Sequence, residues 1–179
     1  MTPGAADTAY PIYPVGLRLS GRRVVVVGGG QVAERRVRGL LGAGAEVVVV
    51  SSSVTPGLRE LLDEPALTWW ERRYADGDLA SAWYAVAATP SAAVNAAILA
   101  EAERLRIFCV RADDAAQASA WTLASGHVGD VTVAVSGGGD PLRAAAARDA
   151  IVAGLTDGSI PDRPYRTREH PQPRQTPDE

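Results

Sequence analysis

Three groups of residues in this chain have the types and spacing for chemistry. The first is a run of four valines ending in Gly28-Gly29-Gly30, followed by Gln31-Val32-Ala33. The pattern is G-x-G-x-x-A. Gly28 permits a tight turn, Gly30 lets the backbone approach a pyrophosphate with no Cβ in the way, and Ala33 lets a helix pack closely on the preceding strand. A helix starting there aims N–H groups and the positive end of its dipole at the phosphates. The pattern alone is weak; a strand before it and a helix after it give it weight. The second group is Ser51-Ser52-Ser53. A dinucleotide site commonly places Asp or Glu here to bond the ribose. No acid stands here and the first arginine that follows is Arg59, so NAD and NADP both stay open. The third group is Asp113-Asp114. On residue type alone these are turn residues or a helix cap.

The elements that must position these groups follow from periodicity. Residues 23–27 and 46–50 are valine-rich runs that read as buried strands, and 83–87 and 107–111 read likewise. Residues 32–41 carry apolar side chains at helical spacing until Gly42 and Gly44 stop them. A short helix opens at Thr55-Pro56, 67–70 is an edge strand, and 91–104 is an alanine-rich helix. Strand and helix in alternation predict an α/β fold, a Rossmann-like doubly wound parallel sheet. Beyond Asp113 the rhythm changes. Residues 115–129 read as loop, 131–136 as a strand, 136–140 as a glycine-rich turn and 142–155 as an Ala/Arg helix. The expected division is a lead-in over 1–17, a nucleotide-binding domain over 18–114, a strand-helix segment over 115–155, and a disordered tail or linker over 156–179.

Composition narrows the chemistry. The chain has 179 residues, 46% hydrophobic and 22% charged, with net charge −3. Those values fit a folded domain and argue against nucleic-acid binding driven by bulk charge. All 18 basic residues are arginine, so a lysine nucleophile, Schiff base or P-loop lysine is excluded. Cys109 is the single cysteine, and neither a Cys pair nor a His-x-x-x-His pattern occurs, so no disulfide and no protein metal site is expected. His127 reads as a turn-tip residue, and His170 lies in the tail. Trp69-Trp70, Trp83 and Trp121 read as core or interface. No apolar run is long enough to span a bilayer and the first residues do not form a secretory signal, so a cytoplasmic location is expected.

GRRVVVVGGGQVAERRVRGLLGAGAEVVVVS (21–51), YAVAATPSAAVNAAI (84–98), IFCVRADDA (107–115) and VTVAVSGGGDP (131–141) resemble the siroheme synthase N-terminal module. That family is precorrin-2 dehydrogenase, often combined with sirohydrochlorin ferrochelatase. The resemblance covers about 13–155. It implies oxidation of the tetrapyrrole precorrin-2 to sirohydrochlorin in siroheme biosynthesis, with NAD as cofactor, Fe2+ as a chelation substrate and a homodimer formed through 115–155. The implied NAD contacts are Gln31 and Val32 after Gly28 and Gly30, then Ser52 and Ser53, then Thr89. The essential carboxylate falls on Asp113. Residue chemistry agrees: Asp113 ends a parallel strand, and dehydrogenation needs a proton acceptor near the hydride acceptor. Asp114 is then the cap. A substrate rich in carboxylates calls for arginine, and Arg111 and Arg143 lie near the motifs.

The chain departs from the family at Val110, where Asn is common, at Gly137, where a serine can be phosphorylated, and at Ala120-Trp121-Thr122, where Ile-x-Pro is usual. These changes fall on the substrate side. The tail resembles the linker to a uroporphyrinogen-III methyltransferase domain. A competing expectation is a non-catalytic NAD(H)-binding redox sensor, which would keep Gly28, Gly30 and Ala33 without needing Asp113. A scaffold that only dimerises is a third.

Overall fold

The computed structural model describes residues 12–162. The chain divides into two compact units, Met1–Thr122 and Leu123–Glu179.

The first unit runs β1 (Arg23–Val27), α1 (Gln31–Gly42), β2 (Glu46–Ser51), α2 (Pro56–Arg59), a 3-10 turn (Glu60–Asp63), β3 (Leu67–Glu71), β4 (Tyr84–Ala87), α3 (Ala92–Leu105) and β5 (Phe108–Arg111). The five strands form one sheet in the order β3-β2-β1-β4-β5, every pair parallel. Its valines alternate between faces. Val24 and Val26 of β1 pack with Ala33 and Val37 of α1, whereas Val25 and Val27 pack with Ile98, Leu99 and Ala102 of α3. A strand buried on both faces needs a continuous apolar run, which is why 23–27 and 46–50 are nearly all valine. The chain leaves β1 toward β2 and β3, then crosses back to β4 and β5. The order reverses between β1 and β4, and the crevice at their carboxyl ends is where such sheets bind ligands. The fold is α/β and doubly wound, as expected.

The crossing from β3 to β4 carries no helix. Residues between the two strands are held by buried polar groups instead. Arg72 grips Asp78 through two bonds of 2.7 Å, and Glu101 of α3, fully buried, accepts from the N–H groups of Gly77 and Leu79 and from the Tyr74 hydroxyl. At the other end of the strands Arg22 stacks on Trp83, 3.4 Å from the ring centre, and covers an indole that is otherwise exposed.

The first unit extends past the expected limit at 114. Residues 115–122 run back beside β5: Ala120 N–H donates to Cys109 O (3.2 Å), and Cys109 N–H donates to Ser119 Oγ (2.9 Å). These bonds satisfy the open edge of β5, so the boundary falls after Thr122. Cys109 itself is buried, and burial pushes its thiol up to about 11.

The second unit holds β6 (Ala124–Val128), β7 (Val131–Val135) and α4 (Pro141–Asp157). The expectation of a loop over 115–129 fails at β6, which pairs antiparallel with β7. Ser125, Gly126 and His127 have no strand signature; the strand exists because its partner and the helix dictate it. A Cβ on Gly126 would lie 2.8 Å from Val152 and 3.0 Å from Arg148 of α4, so the glycine is a packing residue. His127 lies within β6 rather than at a turn tip, opposite Thr132, with Nδ1 3.1 Å from the threonine hydroxyl. Asp140 caps α4 through the N–H groups of Leu142 and Arg143, and the helix continues two residues into the span expected to be tail. Beyond it Ile160 N–H donates back to Gly154 O (2.8 Å), and the tail from 163 on, with His170, lies outside the described residues.

Candidate functional site

The carboxyl ends of β1, β2, β4 and β5 bring together the glycine turn, Ser51–Ser53, Thr89 and Asp113. Gly28 has φ +124, and a Cβ there would fall 2.3 Å from the carbonyl oxygen of Ala88. The turn therefore lies directly against the end of β4. A Cβ on Gly29 would fall 1.9 Å from Ser53 O, so the middle glycine makes room for the loop after β2. Gly30 differs: a Cβ there would meet nothing within 4 Å. It is the N-cap of α1, and no side chain caps it among the described residues. Open space before an uncapped helix N-terminus fits a diphosphate. Gln31 and Val32 follow on the exposed first turn, Val32 at 40% exposure, and Ala33 is fully buried against the sheet.

The loop after β2 is braced onto α1. Ser51 Oγ donates to Ser53 O (2.7 Å), Thr55 N–H donates to Gly29 O (2.9 Å), and Thr55 Oγ1 donates to Glu34 Oε2 (2.6 Å). Arg38 holds Glu34 Oε1 (2.9 Å) and Gly57 O (3.0 Å). The Thr55 and Arg38 bonds lower the Glu34 carboxyl from its ordinary value. The sequence shows no acid after β2; the fold supplies one from α1 and spends it on bracing. Ser52 and Ser53 are left exposed above the glycine turn.

On the other side of the crevice, Thr89 is committed to Asn95, a fully buried residue of α3 that sequence reasoning missed. Thr89 N–H (3.1 Å) and Oγ1 (2.7 Å) both donate to Asn95 Oδ1, and Asn95 Nδ2 donates to Thr89 O (3.0 Å). Its signal was available: Asn95 lies on the apolar stripe with Ile98, Leu99 and Ala102, where a polar residue needs a partner. The next strand ends in Arg111, whose side chain is 5% exposed and grips Asp113 in a fork, Nε to Oδ1 at 3.2 Å and Nη2 to Oδ2 at 2.7 Å. Arg111 Nη1 also donates to Gln117 Oε1 (3.3 Å). Asp113, 28% exposed, is held below the usual carboxylate range first by this bond to Arg111 and further by the Asn95 amide. Asp114 caps the local turn by accepting from Ala116 N–H (3.1 Å). A shallow cleft of about 360 Å³ lies beside Arg111 and Gln117 along α3, bounded by Ala96, Leu99, Ala100 and Glu103. Arg143 stands in the second unit, exposed on the first turn of α4.

Comparison with known proteins decides the family. Residues 15–123 match the family model described as "Putative NAD(P)-binding". This chain belongs to that NAD(P)-binding family. Among its relatives, siroheme synthase 3 of Aeromonas hydrophila is 36% identical over 141 residues, 78% of this chain and 30% of the relative. Siroheme synthase of Xylella fastidiosa is 33% identical over 152 residues, 84% of this chain and 32% of the relative. The chain therefore spans about a third of the length of these relatives. Among solved structures, SirC, a precorrin-2 dehydrogenase, matches with TM-score 0.66 and 28% identity over 80% of this chain and 71% of that one. The resemblance to the siroheme synthase N-terminal module thus holds in sequence and in fold.

Proposed function

We propose that this chain is an NAD-dependent precorrin-2 dehydrogenase, oxidising precorrin-2 to sirohydrochlorin in siroheme biosynthesis. The observation that carries it is the Asp113 carboxylate, fixed by Arg111 at the mouth of the same crevice as the glycine turn. A bound nicotinamide dinucleotide supplies the hydride acceptor. Gly30 and the first turn of α1, with Gln31 and Val32, would hold its diphosphate, and Ser52 and Ser53 its ribose; the choice of NAD over NADP rests on the dehydrogenase resemblance.

The residues of the chain then deal with the proton. Asp113 is ionised at neutral pH, and the bond to Arg111 lowers it further, which makes it a weak base. Proton transfer from a neutral pyrrole N–H to such a carboxylate is uphill. Transfer becomes favourable once hydride has left and the ring carries positive charge. Hydride loss therefore precedes or accompanies transfer to Asp113, which first stabilises that charge. Arg111 orients Asp113 and is therefore not assigned to a substrate carboxylate. Iron insertion, with Fe2+ as a substrate, is assigned to the same aspartate. The protein is proposed to be cytoplasmic; among the described residues no helix is long and apolar enough to cross a membrane. A homodimer through the second unit is supported by Leu142, 83% exposed at the start of α4.

The deciding assay follows NADH formation from enzymatically generated precorrin-2 without oxygen. Asp113→Asn should lower kcat at least about 100-fold and leave dinucleotide binding within about threefold. Unchanged turnover in that variant would remove Asp113 from the reaction, and a wild type that binds NADH yet forms none from precorrin-2 would favour the redox-sensor reading.

A further inference from the structure

Asn95 occupies a position that neither the glycine pattern nor the aspartate explains. It is fully buried on the first turn of α3, and its side chain makes three bonds to one residue, Thr89. Thr89 follows Ala88, whose carbonyl Gly28 approaches so closely that a Cβ would collide. The turn at 88–89 is thus the wall of the crevice facing the glycine turn. The same Asn95 amide stands beside Asp113. One side chain therefore touches both the cofactor-side wall and the carboxylate. Without Asn95, the Thr89 N–H and C=O would lose their side-chain partner, and the wall would keep only the Ala88 N–H bond to Val27 O (2.8 Å) and the contacts of the Thr89 hydroxyl with Ser91 (3.2 Å).

We propose that Asn95 is a positioning residue that fixes the Thr89 wall against the glycine turn and aligns it with Asp113, so that dinucleotide affinity and turnover both depend on it. The proposal rests on the dinucleotide reading above, and its test is binding, which does not require precorrin-2. The charged groups at position 95 are Asp113 and, across it, Arg111. In Asn95→Asp the two acceptor bonds survive, but the donor to Thr89 O is lost and a second carboxylate faces Asp113. Burial and that neighbour both raise the new carboxyl, so mild acid protonates it and restores an O–H donor of nearly the same shape. Asn95→Ser cannot reach Thr89 at any pH.

NADH binding should be titrated by fluorescence at about pH 8 and about pH 5, the second chosen to protonate a raised carboxyl. Asn95→Asp should bind about tenfold more weakly than wild type in alkali and recover to within about threefold in acid, and Asn95→Ser should stay about tenfold weaker at both. Turnover should fall in kcat more than binding falls. Thr89→Val keeps the β-branched shape without the hydroxyl and should weaken NADH about threefold, which serves if the Asn95 variants do not fold. A folded Asn95→Ser that binds NADH as wild type does, no recovery of Asn95→Asp in acid, or full affinity in Thr89→Val would overturn the proposal. Wild type that binds NADH without oxidising precorrin-2 would overturn the dehydrogenase alone, while wild type that does not bind NADH would overturn both.

Discussion

Asp113 is held by a guanidinium that solvent hardly reaches, and that pairing sets what the carboxylate can do. Arg111 reaches it in two parallel bonds, the geometry in which arginine binds carboxylate most strongly. The pair works in both directions: the same bond that lowers Asp113 raises Arg111. Since the folded-state value of Asp113 lies below its ordinary one, the group stays ionised at every pH above the usual carboxylate range. Its contribution to rate should be flat from mild acid to neutrality and be lost only as pH falls through the lowered value. Arg111→Gln removes the cation. Asp113 should then titrate higher, and an acid limb absent from the wild-type kcat profile should appear in mild acid. A profile identical to wild type would show that Asp113 does not take part in the measured step. The same residues show the limit of reading by type. Arginine near a motif suggests a substrate cation, and only the fold reveals that Arg111 is already occupied whereas Arg143 is not buried at all.

At the scale of elements, the three glycines of the turn do different work. Gly29→Ala would drive a Cβ into the Ser53 carbonyl, a backbone atom that cannot step aside, and should cost about 2 kcal/mol of stability in chemical denaturation. Gly30→Ala meets nothing and has ordinary backbone angles, so it should unfold like wild type yet bind NADH at least about tenfold more weakly. Equal melting of the two variants would contradict the packing described. The sequence pattern names the first and third glycines and is silent on the middle one, because the collision partner lies 24 residues ahead at the end of the next strand. The legible elements were those whose own residues enforce them. Valine runs made β1 and β2, and Ser91 caps α3 by accepting from Val94 N–H. β6 was illegible because Ser125, Gly126 and His127 take strand geometry from β7 and α4, not from their own preference. For Asn95 the sequence shows only that a polar residue on the apolar stripe of α3 needs a partner; which partner, Thr89 after β4 or Asp113 after β5, comes from the fold.

For the whole molecule, several carboxylates point the same way. Glu34 is lowered by Thr55 and Arg38, Asp78 by Arg72, Asp113 by Arg111 and Asp157 by Ser159. Each is lower folded than unfolded, so each adds stability that is complete above the ordinary carboxylate values and disappears as pH falls through the folded ones. Thermal melting should be nearly constant between about pH 7 and about pH 5, then drop steeply below about pH 4. Asp78→Asn, which removes the partner of Arg72 on the helix-free crossing, should flatten part of that drop. A melting temperature that rises on acidification would contradict the ion pairs as described.

The solitary thiol gives the molecule a clock. Cys109 sits in β5, packed with Ile98, Leu99 and Ala102 of α3, and burial pushes its thiol up to about 11. Reagents that trap thiolates should ignore the native protein at neutral pH and react only when β5 parts from its neighbours. The rate of labelling then counts openings of the strand that carries Arg111, one molecule at a time and without a probe being introduced. If ligands that fill the crevice slow that count, they do so by holding the strand closed, and their occupancy becomes measurable at an atom they never touch.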